Sequence, residues 1–129
     1  MTAPAALGVR LVIADNDPDA LDLLDLDLGL EGHLVVGRAR NGQDAIELCR
    51  ELSPDVLVVD LRMPPGPDGL AVVQALADQP DLKMIIYTNY RDPVLAARAA
   101  KVGAGYLLKG DLRTLRAAIG DLVRRDRVR

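Results

Sequence analysis

A valine-rich run, Val56 to Val59, is bounded by Pro54 on one side and by Pro64, Pro65 and Pro67 on the other. The apolar run is too short for a globular helix, and its branched side chains favour extended backbone. It therefore reads as a strand buried on both faces. The strand ends in a carboxylate, Asp60. In open parallel sheets ligands bind beyond the carboxyl ends of the strands, so an acid there stands where chemistry is usually done. A solvated acid just past a core strand is the plainer reading of Asp60 alone.

The same unit recurs along the chain. Val9 to Ala14 reads as a first buried strand ending in Asp15-Asn16-Asp17-Pro18, where Asp17 suits a helix N-cap and Pro18 the first helical position. That helix is expected to run to about Leu28 and to stop at Gly29 and Gly32. Leu34 to Ala39 form a second strand, and Asn41-Gly42 a turn. Gln43 to Leu52 form an amphipathic helix with Ala45, Ile46, Cys49 and Leu52 on one stripe. Beyond Asp60 the proline-rich loop Met63 to Gly69 leads into a helix over Leu70 to Ala77. Lys83 to Thr88 are a fourth strand, and Asp92-Pro93 start a helix closed by Gly103. Tyr106 to Leu108 are a short fifth strand ending in Lys109. Gly110-Asp111 open a last helix, with Leu115, Ala118, Ile119 and Leu122 as its buried stripe. Five strands alternating with five helices imply an α/β fold, a doubly wound parallel sheet covered on both faces. Residues 1–8 are expected to be a tail, 9–125 one domain, and 126–129 a tail or the start of a linker.

With 129 residues and neither Phe nor Trp, the core must be built from Leu, Val, Ile and Ala. The single cysteine, Cys49, excludes an internal disulfide and fits a reducing compartment. No apolar run is long enough for a membrane helix, and the start lacks a basic leader, so a cytoplasmic location without membrane contact is expected. The net charge of −3 is unevenly spread: residues 15 to 31 hold seven acids and no Lys or Arg, whereas ten basic residues face four acidic ones from Arg91 onward. Such polarity argues for directional protein contacts rather than a nucleic-acid surface over the whole domain.

Four strands end in groups that suit one another: Asp15 with Asn16, Asp60, Thr88, and Lys109. Carboxylates and an amide oxygen are hard ligands of the kind Mg²⁺ takes. An ammonium and a hydroxyl beside them can hold phosphoryl oxygens. Together they make a phosphoryl-acceptor site with one carboxylate as nucleophile.

From Val9 to about Arg125 the chain resembles the receiver domain of two-component response regulators, which has a flavodoxin-like fold. The resemblance rests on Asp60 followed by Met63-Pro64 and Asp68-Gly69, then Thr88, then Gly105-Tyr106-Leu107-Leu108-Lys109. Gly42-Gln43-Asp44-Ala45 and Gly103 to Lys109 look most like the NarL/FixJ-type branch, whose members carry a C-terminal helix-turn-helix. The resemblance implies that Asp60 accepts a phosphoryl group from a sensor histidine kinase. It implies that Asp15, Asn16, Asp60 and the carbonyl of Arg62 hold Mg²⁺, and that Thr88 and Lys109 bind the phosphoryl group. Tyr106 is then the aromatic that reorients with Thr88. Any DNA contact would be made by an output domain that this chain does not contain. As a receiver the chain is a signalling domain rather than an enzyme.

Three features depart from the family pattern. Asn16 stands where a second metal-binding carboxylate is usual, the loop Met63 to Gly69 has an extra residue and three prolines, and Asn89 follows Thr88 where a small residue is usual. Asn16 lowers the charge of the metal site and should weaken Mg²⁺ binding. With Asn89 it supports a rival reading, an interaction module of the same fold that works without phosphorylation. The Arg62 guanidinium is a candidate to fold back over the acids as a partial substitute for the metal. In an enzyme reading, Asp15-Asn16-Asp17 would be the nucleophile motif of haloacid-dehalogenase-type phosphatases, with Asp111 and Asp121 as the further acids. Finally, Leu23, Leu26 and Leu30 extend the first helix's apolar surface beyond its core stripe. Arg113, Arg116 and Arg124 flank the last helix, so a homodimer through these two helices is expected.

Overall fold

The computed structural model describes residues 8–128. The expected tail lies, apart from Gly8, outside the described residues, as does Arg129. Five parallel strands form one sheet in the order β2-β1-β3-β4-β5: β1 Arg10–Ala14, β2 Leu34–Ala39, β3 Val56–Val59, β4 Lys83–Thr88 and β5 Gly105–Leu108. The helices are α1 Pro18–Leu30, α2 Gly42–Leu52, α3 Gly69–Ala75, α4 Pro93–Lys101 and α5 Leu112–Val128.

Alternation along each strand divides the core in two. Val12, Ala14, Leu57, Val59, Met84 and Ile86 face one way and pack with Ala45, Cys49, Val72, Val73 and Ala99 of α2, α3 and α4 and with Leu76, which caps the end of α3. Leu11, Ile13, Val56, Val58, Ile85 and Tyr87 face the other way, onto Leu21, Leu24 and Leu28 of α1 and Leu115 and Ile119 of α5. Both faces of β3 are therefore buried, which is why its sequence has no polar alternation. Cys49 is fully buried, and burial pushes its thiol up to about 12, so it is an inert core side chain.

Asp17, Asn41, Asp68 and Asp92 each accept a hydrogen bond from a backbone amide in the first turn of α1 to α4. Such caps are worth about 1 kcal/mol apiece. Gly29 does not stop α1. The helix continues to Leu30, and the chain turns at Gly32 (φ 88°), where the Gly32 and His33 amides bond the carbonyls of Gly29 and Leu28. At the far end, α5 continues past residue 125 to Val128. No helix of the described residues is long and apolar enough to cross a membrane.

The lone histidine is built into the sheet's amino edge. His33 Nδ1 accepts the Val9 amide at 3.2 Å, which requires a neutral ring protonated at Nε2. Burial lowers its pKa from 6.5, against the opposing charge of Glu31. The unfolded chain then takes up this proton more readily than the folded one, so His33's contribution is lost as pH falls through about 6.5. Thermal unfolding of wild type should therefore show a Tm that drops between about pH 7.5 and about pH 5.5. His33→Asn, whose amide oxygen can still accept the Val9 amide, should drop measurably less. Equal slopes would remove His33 from the explanation.

Candidate phosphoryl-acceptor site

The order of the strands reverses between β1 and β3, and the crevice beyond their carboxyl ends is where an open sheet of this kind binds ligands. Residues just past the strands are held in line by sheet-like backbone bonds. The Asp15 amide donates to Ala39 O (3.0 Å), the Asp60 amide to Ala14 O (2.9 Å), and the Lys109 amide to Thr88 O (2.7 Å). Asp15, Asp60, Thr88 and Lys109 are thus fixed along one edge by the fold's own hydrogen bonds. Gly69 supports them from outside: a Cβ there would collide with Asp60 O, so glycine lets α3 start against the Asp60 backbone, with its amide on Leu61 O (2.7 Å).

The side chains converge. Lys109 Nζ lies 2.6 Å from Asp15 Oδ2 and 3.3 Å from Asp60 Oδ2, bridging two carboxylates that come from different strands. Asp15 is 2% exposed, and its other oxygen accepts the Asp17 amide at 2.9 Å. Asp60 Oδ1 accepts the Leu61 amide at 2.7 Å. Burial raises the Asp60 pKa, and the neighbouring charge of Asp15 adds to that, while Lys109 and the Leu61 amide pull the other way. A carboxylate of raised basicity is a better nucleophile once a cation offsets its charge. For Lys109, burial alone would lower the pKa. The hydrogen bond to Asp15 and the charges of Asp60 and Asp15 outweigh it, so the ammonium stays charged. Thr88 is fully buried, and its Oγ1 accepts the Tyr90 amide at 3.3 Å.

This geometry falls within a known family. The family model described as the response regulator receiver domain matches residues 11–120. The chain belongs to that family. It is 38% identical over 102 residues to the response regulator GacA of Pseudomonas aeruginosa, covering 78% of this chain and 47% of GacA. The signal receiver domain of NarL from Mycobacterium tuberculosis superposes with a TM-score of 0.82 at 32% identity, over 91% of this chain and 97% of that one. The isolated receiver domain of RcsB from Salmonella enterica serovar Typhimurium, solved with the phosphomimetic BeF3-, gives a TM-score of 0.72 at 26% identity, over 81% and 80%. The chain spans about half the length of curated relatives such as GacA.

Receiver domains are signalling domains of two-component systems that work with histidine kinases and output domains, and they bind Mg²⁺ at an acidic pocket. In this receiver the pocket has two carboxylates. Among the described residues no group of three or more His, Cys, Asp or Glu side chains is placed to hold a metal ion. Asn16 is exposed beside the pocket, with its backbone carbonyl taking a hydrogen bond from Arg40 (3.2 Å). Its amide oxygen leaves a donor set of hard oxygens with one charge fewer, which suits Mg²⁺ with retained waters.

Arg62 does not fold back over the acids. Its guanidinium carbon lies 4.2 Å from the centroid of the Tyr90 ring, and the cation between the acids is Lys109 instead. The Lys109 ammonium already fills that place. The phosphatase reading fails as well. Asp17 is an exposed helix cap, while Asp111 and Asp121 are taken up by Arg113 and Arg124. Tyr106 is half-buried, and its hydroxyl donates to Tyr90 O at 2.6 Å. Tyr90 escaped the sequence reading. The one signal for it was an aromatic two residues after Thr88, matched by an arginine two residues after Asp60.

Proposed function

We propose that this receiver is a phosphorylation-driven switch in which Asp60 takes a phosphoryl group from a sensor histidine kinase. The observation that carries the reading is Lys109 reaching both Asp15 and Asp60 at the sheet edge next to Thr88. An Asp60 oxygen attacks phosphorus, the O–P bond forms, and the P–N bond of the donor phosphohistidine breaks, with the imidazole leaving as the neutral ring after taking a proton. Lys109 then moves from carboxylate to phosphoryl oxygen, and Thr88 donates its hydroxyl to another. Mg²⁺, held by Asp15, Asp60, the Asn16 amide and the Arg62 carbonyl, would offset the charge that nucleophile and donor share. The outcome is a changed surface around α4 and β5, centred on Tyr106 and read by an output domain or partner. Relatives such as GacA are regulators, which favours transcriptional output, with DNA bound by a separate output domain. Incubation with a small acyl phosphate and Mg²⁺ should add ~80 Da to the intact mass. A folded protein that takes up no phosphoryl group under these conditions would overturn the reading and leave the phosphorylation-independent module.

Asn16 sets the strength of the metal site. Asn16→Asp restores a ligand charge and should tighten Mg²⁺ by about tenfold, since ligand charge tunes affinity at oxygen sites. It should also lower the Tm without metal, because a third carboxylate crowds Asp15 and Asp60. A Mg²⁺ titration of both proteins checks this, and equal affinities would end the proposal.

Homodimerisation through α1 and α5 belongs to the same reading. Leu23, Leu26 and Leu30 are 54%, 63% and 76% exposed along the outer face of α1, an apolar stripe left uncovered among the described residues. The charges contribute less than the sequence suggested, because Arg116 is already paired within the chain to Asp27 at 3.0 Å. Association should therefore be driven by the leucines and depend little on salt. In sedimentation at low and high salt, Leu23→Glu should shift the protein toward monomer. Wild type that stays monomeric at high concentration in both salts would sink the dimer.

A further inference from the structure

We infer that Arg40 is a tethered cation at the rim of the metal pocket, and that it sets how much Mg²⁺ the phosphorylation of this receiver requires. This rests on the proposed phosphorylation of Asp60. Arg40 directly follows Ala39, the last residue of β2, whose carbonyl accepts the Asp15 amide at 3.0 Å. The backbone itself therefore brings Arg40 to the acidic edge of the sheet. Its guanidinium is held there, with Nη2 donating to the Asn16 carbonyl at 3.2 Å. Among the described residues that is the one hydrogen bond of its side chain, and no carboxylate pairs with it. Arg38, Arg50, Arg113 and Arg116, by contrast, each pair with an aspartate.

Local stability does not explain a cation at this position. Arg40 stands immediately before Asn41, the N-cap of α2, where the helix dipole disfavours positive charge. It is exposed, so it fills no space in the core. Its charge bears on the pocket instead. Along the carboxyl edge Arg40, Asp15, Asp60, Thr88 and Lys109 stand in the order of the strands, β2-β1-β3-β4-β5. Lys109 bridges both acids from the β5 side. Arg40 is held from the β2 side, on the very residue whose amide oxygen completes the proposed Mg²⁺ ligand set. The charges of Asp15 and Asp60 are thus matched by Lys109 and Arg40 before any metal arrives. A divalent ion that binds there meets a fixed like charge on a ligand residue, well inside a Debye length of about 10 Å. Asn16 removes an attraction for the metal and Arg40 adds a repulsion, so both weaken binding. Transfer to Asp60 then climbs with Mg²⁺ over a range in which a pocket with a third carboxylate and no arginine is already full.

A Mg²⁺ titration followed by backbone amide NMR, with no phosphodonor present, tests the metal half. Arg40→Gln should bind Mg²⁺ about three- to tenfold more tightly than wild type, the size expected for one charge removed across a few ångströms of water. Arg40→Lys keeps the charge and should stay within about twofold of wild type. Added NaCl should narrow the gap between Arg40→Gln and wild type, because the repulsion runs through solvent. Both variants should keep the wild-type Tm without metal. Labelling by an acyl phosphate over a Mg²⁺ series tests the other half. The half-saturating Mg²⁺ concentration should fall in Arg40→Gln by the same factor as in the titration. Equal Mg²⁺ affinities in wild type and Arg40→Gln overturn the inference. So does an Arg40→Lys that tightens as much as Arg40→Gln, since the bond to Asn16 and not the charge is then what acts. A tighter Arg40→Gln whose labelling curve does not move overturns the link to phosphorylation. Wild type that binds Mg²⁺ yet takes up no phosphoryl group overturns the phosphorylation reading itself, and the titration alone then decides the effect of Arg40 on the metal.

Discussion

Asp60→Asn should take up no phosphoryl group while folding at least as stably as wild type. The two halves of that result have different causes. The amide nitrogen's lone pair is delocalised and its oxygen carries no full charge, so it is no nucleophile toward phosphorus, and the ~80 Da adduct should vanish altogether rather than decline. Stability follows from the contacts. Asn can keep the 2.7 Å bond from the Leu61 amide to its oxygen. It gives up only the 3.3 Å contact with Lys109, the longer of that ammonium's two carboxylate contacts. In return it removes a charge that burial and Asp15 both oppose, the same pair of causes that raise the Asp60 pKa. Intact mass after treatment with an acyl phosphate checks the chemistry, and thermal unfolding checks the fold. An adduct that persists in Asp60→Asn moves the acceptor elsewhere, with Asp15 the nearest carboxylate. A Tm well below wild type would mean that the Lys109 contact matters more than its length suggests.

How much of this was legible in the sequence depends on which physical rule governs each part. The doubly wound sheet was legible because Val56 to Val59 cannot be half-buried, and because turn residues separate strands from helices at regular intervals. The meeting of these side chains was legible because Asp15, Asp60 and Lys109 each follow a strand and Thr88 ends one, and parallel strands place their carboxyl ends together. Strand order was not legible: nothing in β2 says that it pairs beyond β1, and that placement follows from crossovers and burial over the whole fold. Side-chain partners were legible least. Lys109 was expected beside a phosphoryl group, yet it closes an ion pair between the two acids in its absence. The Arg62 guanidinium was a candidate to fold over the acids and lies over Tyr90 instead, because a ring on a neighbouring loop cannot be read from local pattern. The charge asymmetry between chain halves was real, but α1 and α5 are neighbours on one face of the sheet. Part of the expected attraction between copies is therefore spent inside one chain, as Arg116 on Asp27.

Lys109→Met should clearly destabilise the resting protein, and Mg²⁺ should largely reverse the loss. Methionine keeps the length and apolar stem of lysine and removes only the ammonium. Without it, Asp15, buried to 2% exposure, and Asp60, whose side chain is 13% exposed, face each other with no cation. Breaking a buried ion pair by removing one partner costs about 3–5 kcal/mol. The Lys109 side chain is 19% exposed, so some screening by water puts the expected loss near the lower end, at about 3 kcal/mol. For a domain of this size that is a fall in Tm on the order of 10 °C. A divalent cation bound by the same two carboxylates replaces the missing charge, and binding to the folded state alone raises stability with ligand concentration. Added Mg²⁺ should therefore raise the Tm of Lys109→Met by clearly more than it raises that of wild type, where the ammonium competes for the same oxygens. Thermal unfolding of both proteins over a Mg²⁺ series, with Ca²⁺ and high NaCl as controls for valence and screening, makes the comparison. Equal Tm values for the two proteins without metal would show that the bridge does not hold the acids. A large loss that Mg²⁺ leaves untouched would show that the cation does not bind where Lys109 now sits.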